Sequence, residues 1–244
     1  MELKNIFKME MYKNRNDKPY LLVIAILTVM AALASVVGVF MIETSFNIST
    51  ALIMEIILAI FTVIGLGVFS LLYPFHLLNV DYKNKVMSLI FASGVSRGKY
   101  YFVKISATIL SALIALFVIL LIPMVTFLIV YPDIFVEAVQ KIITNFNSSH
   151  IVSFVLSVKI SLVANIVMLT TAVIITKGKT SGIFLFFGFS LVAYIIQSSI
   201  FFPLNISFGI EHISANFYLD AVFSILKIVV FVLIGLNVLK KQDL

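Results

Sequence analysis

Charged side chains in this chain come in clusters, and the apolar runs between the clusters are too long for a soluble core. No Asp, Glu, Lys or Arg interrupts the stretch from Tyr20 to Met41, and twenty-eight uncharged residues separate Lys104 from Asp133. A hydrocarbon layer of about 30 Å is crossed by roughly 20 helical residues at ~1.5 Å each, so each run is long enough to span. Hydrophobic residues make up 62% of the 244 and charged residues 11%, against roughly half and a quarter in soluble domains. A bilayer, in which backbone groups must be satisfied within the chain, is the solvent such a sequence needs.

The pattern predicts an all-α integral membrane protein. Its six transmembrane helices fall at about 20–41, 50–78, 105–131, 151–175, 181–202 and 217–239, in one domain covering 20–244. The second span is over-long, with Gly65, Gly67 and Pro74 as places to bend, and Pro203 is expected to end the fifth. Ahead of them, Leu3, Ile6, Phe7, Glu10 and Met11 recur at helical spacing among Lys4, Lys8, Lys13, Arg15 and Lys18. Residues 1–19 therefore read as an amphipathic helix on the membrane surface, ended near Pro19. Between the third and fourth spans, Ile134, Val136, Val139 and Ile143 would give the largest outer segment one surface-lying helix.

Orientation follows from the basic residues. Of 17 Lys and Arg, five precede the first span, five lie between 79 and 104, two sit in the turn after the fourth span and two close the chain. Lys141 alone falls on the other side, while Lys159 and Lys227 lie within spans. The positive-inside rule then places both termini in the cytoplasm. It also explains the net charge of +6 as loop charge at a membrane, not a nucleic-acid surface.

Several chemistries are excluded. There is no cysteine, and His76, His150 and His212 lie far apart without metal-motif spacing. Gly178-Lys179-Thr180 matches the end of a phosphate-binding loop, but that motif needs a glycine where Val173 stands. A positive-inside turn explains it, and no cofactor is expected on this chain.

The most informative loop is Asp81 to Lys104. Asp81 suits the start of a helix, where its carboxylate meets free amides and the positive helix end. Val86, Leu89 and Ile90 then form one apolar stripe at i, i+3 and i+4. Gly94 supplies the left-handed residue that stops the helix, and Ser96 restarts one. Arg97, Lys99 and Lys104 are expected at the water boundary. A short helix with one apolar face between two spans is shaped to dock onto a soluble partner.

Asp81, Leu89, Ile90, Gly94, Arg97, Tyr100 (or Tyr101) and Lys104 together resemble the coupling region of ABC-2 type permeases, the membrane subunits of many ATP-driven exporters. The resemblance, which six spans in 244 residues extend over the whole chain, implies two permease copies side by side. Each would dock its short helix, through Val86, Leu89 and Ile90, into a separate cytoplasmic ATPase subunit, itself present in two copies. ATP and Mg would be bound there, and this chain would catalyse no bond chemistry. Among small permeases of this type it looks like those exporting amphipathic peptides, such as phenol-soluble modulins, or bacteriocins together with self-immunity. Drugs and lipid-linked glycans remain open as cargo. The Ile-, Asn-, Lys- and Phe-rich composition points to the plasma membrane of a bacterium with an AT-rich genome, most simply a Gram-positive one.

Four ionisable residues inside spans are candidates for a translocation path: Lys159, Lys227, Asp220 and Glu55. Counted from the outer ends of their spans, Lys159 is about 12 Å and Lys227 about 15 Å deep. A charge at mid-membrane costs about 2.5–3.5 kcal/mol on insertion scales, so each needs a partner or water. Lys159 and Lys227 would meet carboxylates of a cargo, or else pair structurally with Glu55 or Asp220 or snorkel toward the outer headgroups. Asp220 and Lys227 are two turns apart, about 10.5 Å by rise, too far for direct contact. An ATP-independent secondary transporter built on these four residues is the alternative reading.

Overall fold

The structure, a computed structural model, describes residues 3–43, 71–84, 86–130, 148–208 and 213–242, together with positions 132, 136, 140 and 144. Helix accounts for 92% of it, and no strand occurs among the described residues, so the class is all-α. Three helices are long and apolar enough to cross a membrane, over Arg97–Thr126, Ser181–Ile200 and Tyr218–Lys241. Shorter apolar stretches lie at Leu21–Leu33 and Ile160–Ile175. This is the architecture of a membrane protein.

In chain order the elements are α1 (Leu3–Arg15), α2 (Lys18–Glu43), helical residues 71–83, α3 (Val86–Ala92), α4 (Arg97–Val130), α5 (Ser148–Ile175), α6 (Ser181–Phe208) and α7 (Ile213–Lys241). Most of the second expected span, with Glu55, Gly65 and Gly67, lies outside the described residues, as do Ile134, Val139 and Ile143. Positions 136, 140 and 144, between α4 and α5, are helical, and Thr144 Oγ1 donates to the Gln140 carbonyl at 2.8 Å.

Two expected helix ends move. Pro19 does not end α1, which stops at Arg15; it is the second residue of α2, in a first turn where a missing N–H costs no helical bond. Pro203 does not end α6, which runs through it to Phe208. Spanning helices tolerate proline because neighbouring groups re-satisfy the freed carbonyl.

The chain forms two compact units. The first comprises Met1–Glu10, Pro74–Ile109 and Phe146–Leu244. Here α5 packs most extensively on α7 and less on α6. Thr171 Oγ1 of α5 donates to the Phe231 carbonyl of α7 at 2.9 Å, a hydrogen bond of the kind that holds spanning helices together. The core of this unit joins Ile6, Met87, Val95, Tyr100, Tyr101, Ile174 and Leu239. It thus gathers α1, α3, the start of α4 and the last turns of α5 and α7. The second unit comprises Met11–Tyr73 and Leu110–Asn145; in it Asn14 Nδ2 donates to Ser111 Oγ at 3.0 Å.

The turn after α5 closes by a pair of backbone bonds, Gly178 N–H to the Val173 carbonyl at 2.9 Å and Lys177 N–H to Ile174 at 3.1 Å. Lys177 is left-handed at φ 52°, as this helix-ending motif demands, and Gly178 follows it at φ 72°. Gly178 also has no room for a side chain. A Cβ there would lie 2.5 Å from Asn79 Oδ1 and 2.5 Å from Tyr82 Cβ. Gly178→Ala is expected to cost about 1–2 kcal/mol for the backbone and about 1–3 more for the overlap. Gly98→Ala, which meets nothing within 4 Å, should be neutral or slightly stabilising. Thermal unfolding of the two variants in detergent separates the cases; equal melting points would refute the close approach.

Candidate functional site

The first unit carries a buried charged cluster assembled from three elements. Residues 71–83 bring Asp81, α1 brings Glu10, and α4 brings Tyr100 and Lys104, one turn apart on one face. Lys104 Nζ lies 2.8 Å from Glu10 Oε2 and 2.6 Å from Asp81 Oδ2. The Tyr100 hydroxyl donates to the same Asp81 oxygen. Glu10 and Asp81 are 0% exposed, Tyr100 1% and Lys104 4%. Ions so far from water persist only when paired and hydrogen-bonded, so this cluster fixes how the three elements meet.

That arrangement corrects two expectations. Lys104 is not at the water boundary. Because α4 starts at Arg97, Lys104 falls about two turns inside it, on the face turned to the core. Asp81 does not start the short helix. It lies within helical residues 71–83, and its carboxylate serves Lys104 and Tyr100.

The short helix itself, α3, exists where expected but is rotated by about one residue. Met87 is buried, and Ile90 and Phe91 pack on the core, so the inward stripe is Met87, Ile90 and Phe91. Val86 is half-buried, and Leu89 is 70% exposed. Phe91 sets this register: its ring meets Tyr100 edge-on at 5.4 Å and 87°. Gly94, at φ 84°, ends the helix. Ser96 Oγ accepts the Lys99 N–H at 3.4 Å and starts α4. Lys83 and Lys99 are exposed.

Arg97 turns toward the chain end. Its Nη1 donates to the carbonyls of Leu239, Lys240 and Gln242 at 2.9, 2.8 and 2.8 Å, and its guanidinium sits 5.7 Å from the centre of the Phe91 ring. A cation on the unpaired carbonyls at a helix C-terminus is favoured by hydrogen bonding and by the helix dipole. Gln242 completes the knot. It donates to the Ile174 carbonyl at 2.5 Å and accepts from the Tyr82 hydroxyl at 3.2 Å. Burial pushes the Tyr82 phenol above its usual range, so it stays a donor. Through Arg97 and Gln242, the α3–α4 elbow is tied to the ends of α5 and α7.

Of the four intramembrane candidates, Asp220 and Lys227 are brought together, through a residue the sequence reading passed over. Gln197 of α6 donates to Asp220 Oδ1 at 2.6 Å and accepts from Lys227 Nζ at 3.0 Å. The amide fills the gap that rules out direct contact. The available signal was a lone glutamine in an apolar span. Lys159 lies on α5, and Glu55 is outside the described residues. Glu10 was also legible in outline, as an acid on the apolar stripe of α1. Comparison of the chain with protein-family models, with curated proteins and with solved structures gives no match.

Proposed function

We propose that this chain is the membrane-spanning subunit of an ATP-driven exporter of the ABC-2 type, working with a separate ATPase and moving an amphipathic substrate outward. In this reading it has six spans, both termini are cytoplasmic, and it works as a pair of permease copies. The observation that carries it is α3: a short helix with Leu89 exposed on its outward face, braced from behind by Met87, Ile90 and Phe91. The buried Glu10–Lys104–Asp81 cluster and the Arg97 clamp make this elbow one body with the helix ends around it. A push on Leu89 would therefore move α1, α4 and α7 together, which is what coupling to a bistable partner requires. The placing of these segments on one side is supported by the core that joins Ile6, Met87, Ile174 and Leu239, since charge distribution assigns all four of them to the same face. Ser181–Phe208 offers Phe184 and Phe187 as exposed aromatic surface, compatible with an amphipathic cargo or with lipid.

The Asp220–Gln197–Lys227 chain favours the second reading, a secondary transporter driven by an ion gradient. Export by the purified, reconstituted protein separates the two. The exporter reading expects transport only with a co-purifying ATPase, abolished by vanadate; vanadate-resistant transport by this chain alone would overturn it. Cysteines at Ser88 and Thr180 should be shielded from an impermeant thiol reagent in intact cells, and one at Ser148 should react. Labelling at Ser88 would reverse the orientation.

A further inference from the structure

The amide-bridged chain Asp220–Gln197–Lys227 leaves hydrogen-bonding capacity unused. All three residues are half-buried, and each ion makes a single bond. Lys227 gives one N–H to Gln197 Oε1, and Asp220 Oδ1 takes one from Gln197 Nε2. An ammonium has three N–H donors and a carboxylate two acceptor oxygens. Two N–H groups of Lys227 and Oδ2 of Asp220 therefore have no partner among the described residues. Beside them Ile196, Ile200, Leu226 and Val230 are exposed. Both helices are long and apolar enough to cross a membrane, so this face meets hydrocarbon, where polar groups without partners are costly. There is also space between the helices. α6 packs on α5 and makes no comparable contact with α7. The two reach each other through long side chains, at the Gln197 bridge and, further along, where the Phe189 and Phe231 rings lie 5.1 Å apart.

The charges select what fits. A second copy in the same membrane orientation would bring Asp220 level with Asp220 and Lys227 level with Lys227, like charge on like. An occupant must instead offer an anion to Lys227 and a donor, best a cation, to Asp220, with apolar carbon for the exposed flanks. Two hydrogen bonds and one amide separate the two ions by at most about 8 Å. A phosphate and an ammonium on one headgroup can bridge that gap with a contact at each end. Depth agrees. Counted from span ends expected at 202 and 217, Gln197 lies about 7.5 Å and Asp220 about 4.5 Å inside. Lys227 starts deeper and is drawn toward them by its bond to Gln197. We propose that the cleft between α6 and α7 binds a phospholipid whose headgroup carries a primary ammonium. Its phosphate takes the remaining N–H groups of Lys227, its ammonium donates to Asp220 Oδ2, and its acyl carbon lies against Val230 and the Phe189–Phe231 pair. The site needs neither an ATPase nor a cargo, so its failure would leave the exporter reading standing.

Native mass spectrometry of the full-length protein, delipidated in detergent, tests this with phospholipids of matched chains. Phosphatidylethanolamine should be retained about fivefold more than phosphatidylglycerol, whose hydroxyls are neutral donors. That is the margin of a charge-assisted hydrogen bond over a neutral one. It should exceed phosphatidylcholine, which has no N–H, by at least as much. Asp220→Asn should erase the preference over phosphatidylglycerol, and Lys227→Met should weaken retention of all three lipids. The double variant Asp220→Asn, Lys227→Met leaves no unpaired ion, so it should melt with the wild type while retaining the three lipids equally. Equal retention by the wild type would overturn the proposal, as would a preference that survives in the double variant. Equal binding of soluble phosphoethanolamine would make this a headgroup site and not a lipid site. Displacement of bound phosphatidylethanolamine by an amphipathic peptide with one Lys and one Glu two turns apart would assign the cleft to the cargo path instead.

Discussion

Lys104→Met should destabilise the protein by about 3–5 kcal/mol, the usual cost of removing one partner from a buried ion pair. That is a large share of the roughly 5–15 kcal/mol that holds a domain folded. The change leaves Glu10 and Asp81, both 0% exposed, with no cation between them. Two further variants show that charge, and not lost packing, is responsible. Glu10→Gln alone should cost less, because Lys104 keeps Asp81 at 2.6 Å. The triple variant Lys104→Met, Glu10→Gln, Asp81→Asn, with no ion left in the cluster, should recover most of the loss, since an apolar or neutral replacement of a buried pair is often near neutral. The monodisperse fraction after heating in detergent measures all three. If the single variant melts with the wild type, the cluster does not form. If the triple variant melts as low as the single one, Lys104 acts by packing.

How much of this was visible in the chain depends on the kind of information each feature needs. Gly94 and Ser96 were legible because a left-handed stop and a helix cap are local chemistry, set by one residue and its neighbours. The three long apolar helices were legible from the spacing of charges. Pro19 and Pro203 misled because proline's effect depends on where in a helix it falls, which local sequence does not state. The rotation of α3 was hidden because Val86, Met87, Leu89, Ile90 and Phe91 offer two apolar stripes one residue apart. Only the contact between Phe91 and Tyr100 chooses between them. Glu10 lies 94 residues from Lys104, and Arg97 reaches carbonyls 142 to 145 residues away. Helical periodicity places each of them on a face but cannot name a partner across the chain. Gln197 shows the same limit: Asp220 and Lys227 lie two turns apart on one helix, and the residue that bridges them sits on another.

On the exporter reading, Leu89→Asp should leave the isolated protein intact and abolish capture of the proposed partner ATPase. At 70% exposure, Leu89 contributes little to the fold, and an aspartate in its place stays in water. Burial of this leucine by a partner would supply about 1.5–3 kcal/mol, which is roughly ten- to hundredfold in affinity. The aspartate forfeits that and also forces an unpaired carboxylate into an apolar groove, so the loss should exceed the contact itself. Ile90→Asp is expected to behave differently from what a simple surface stripe implies. Ile90 packs on the core beside Met87 and Tyr100, so its replacement should reduce the yield of folded protein before any partner is involved. Lys83→Ala, at an exposed position, should change little, since solvated charges at a rim are worth about 0–1 kcal/mol. A pull-down of the proposed partner ATPase, scored against the amount of detergent-stable protein, distinguishes the three. A Leu89→Asp variant that captures the proposed ATPase as well as the wild type would show that α3 does not dock through this residue. The exporter reading would then lose the observation it rests on.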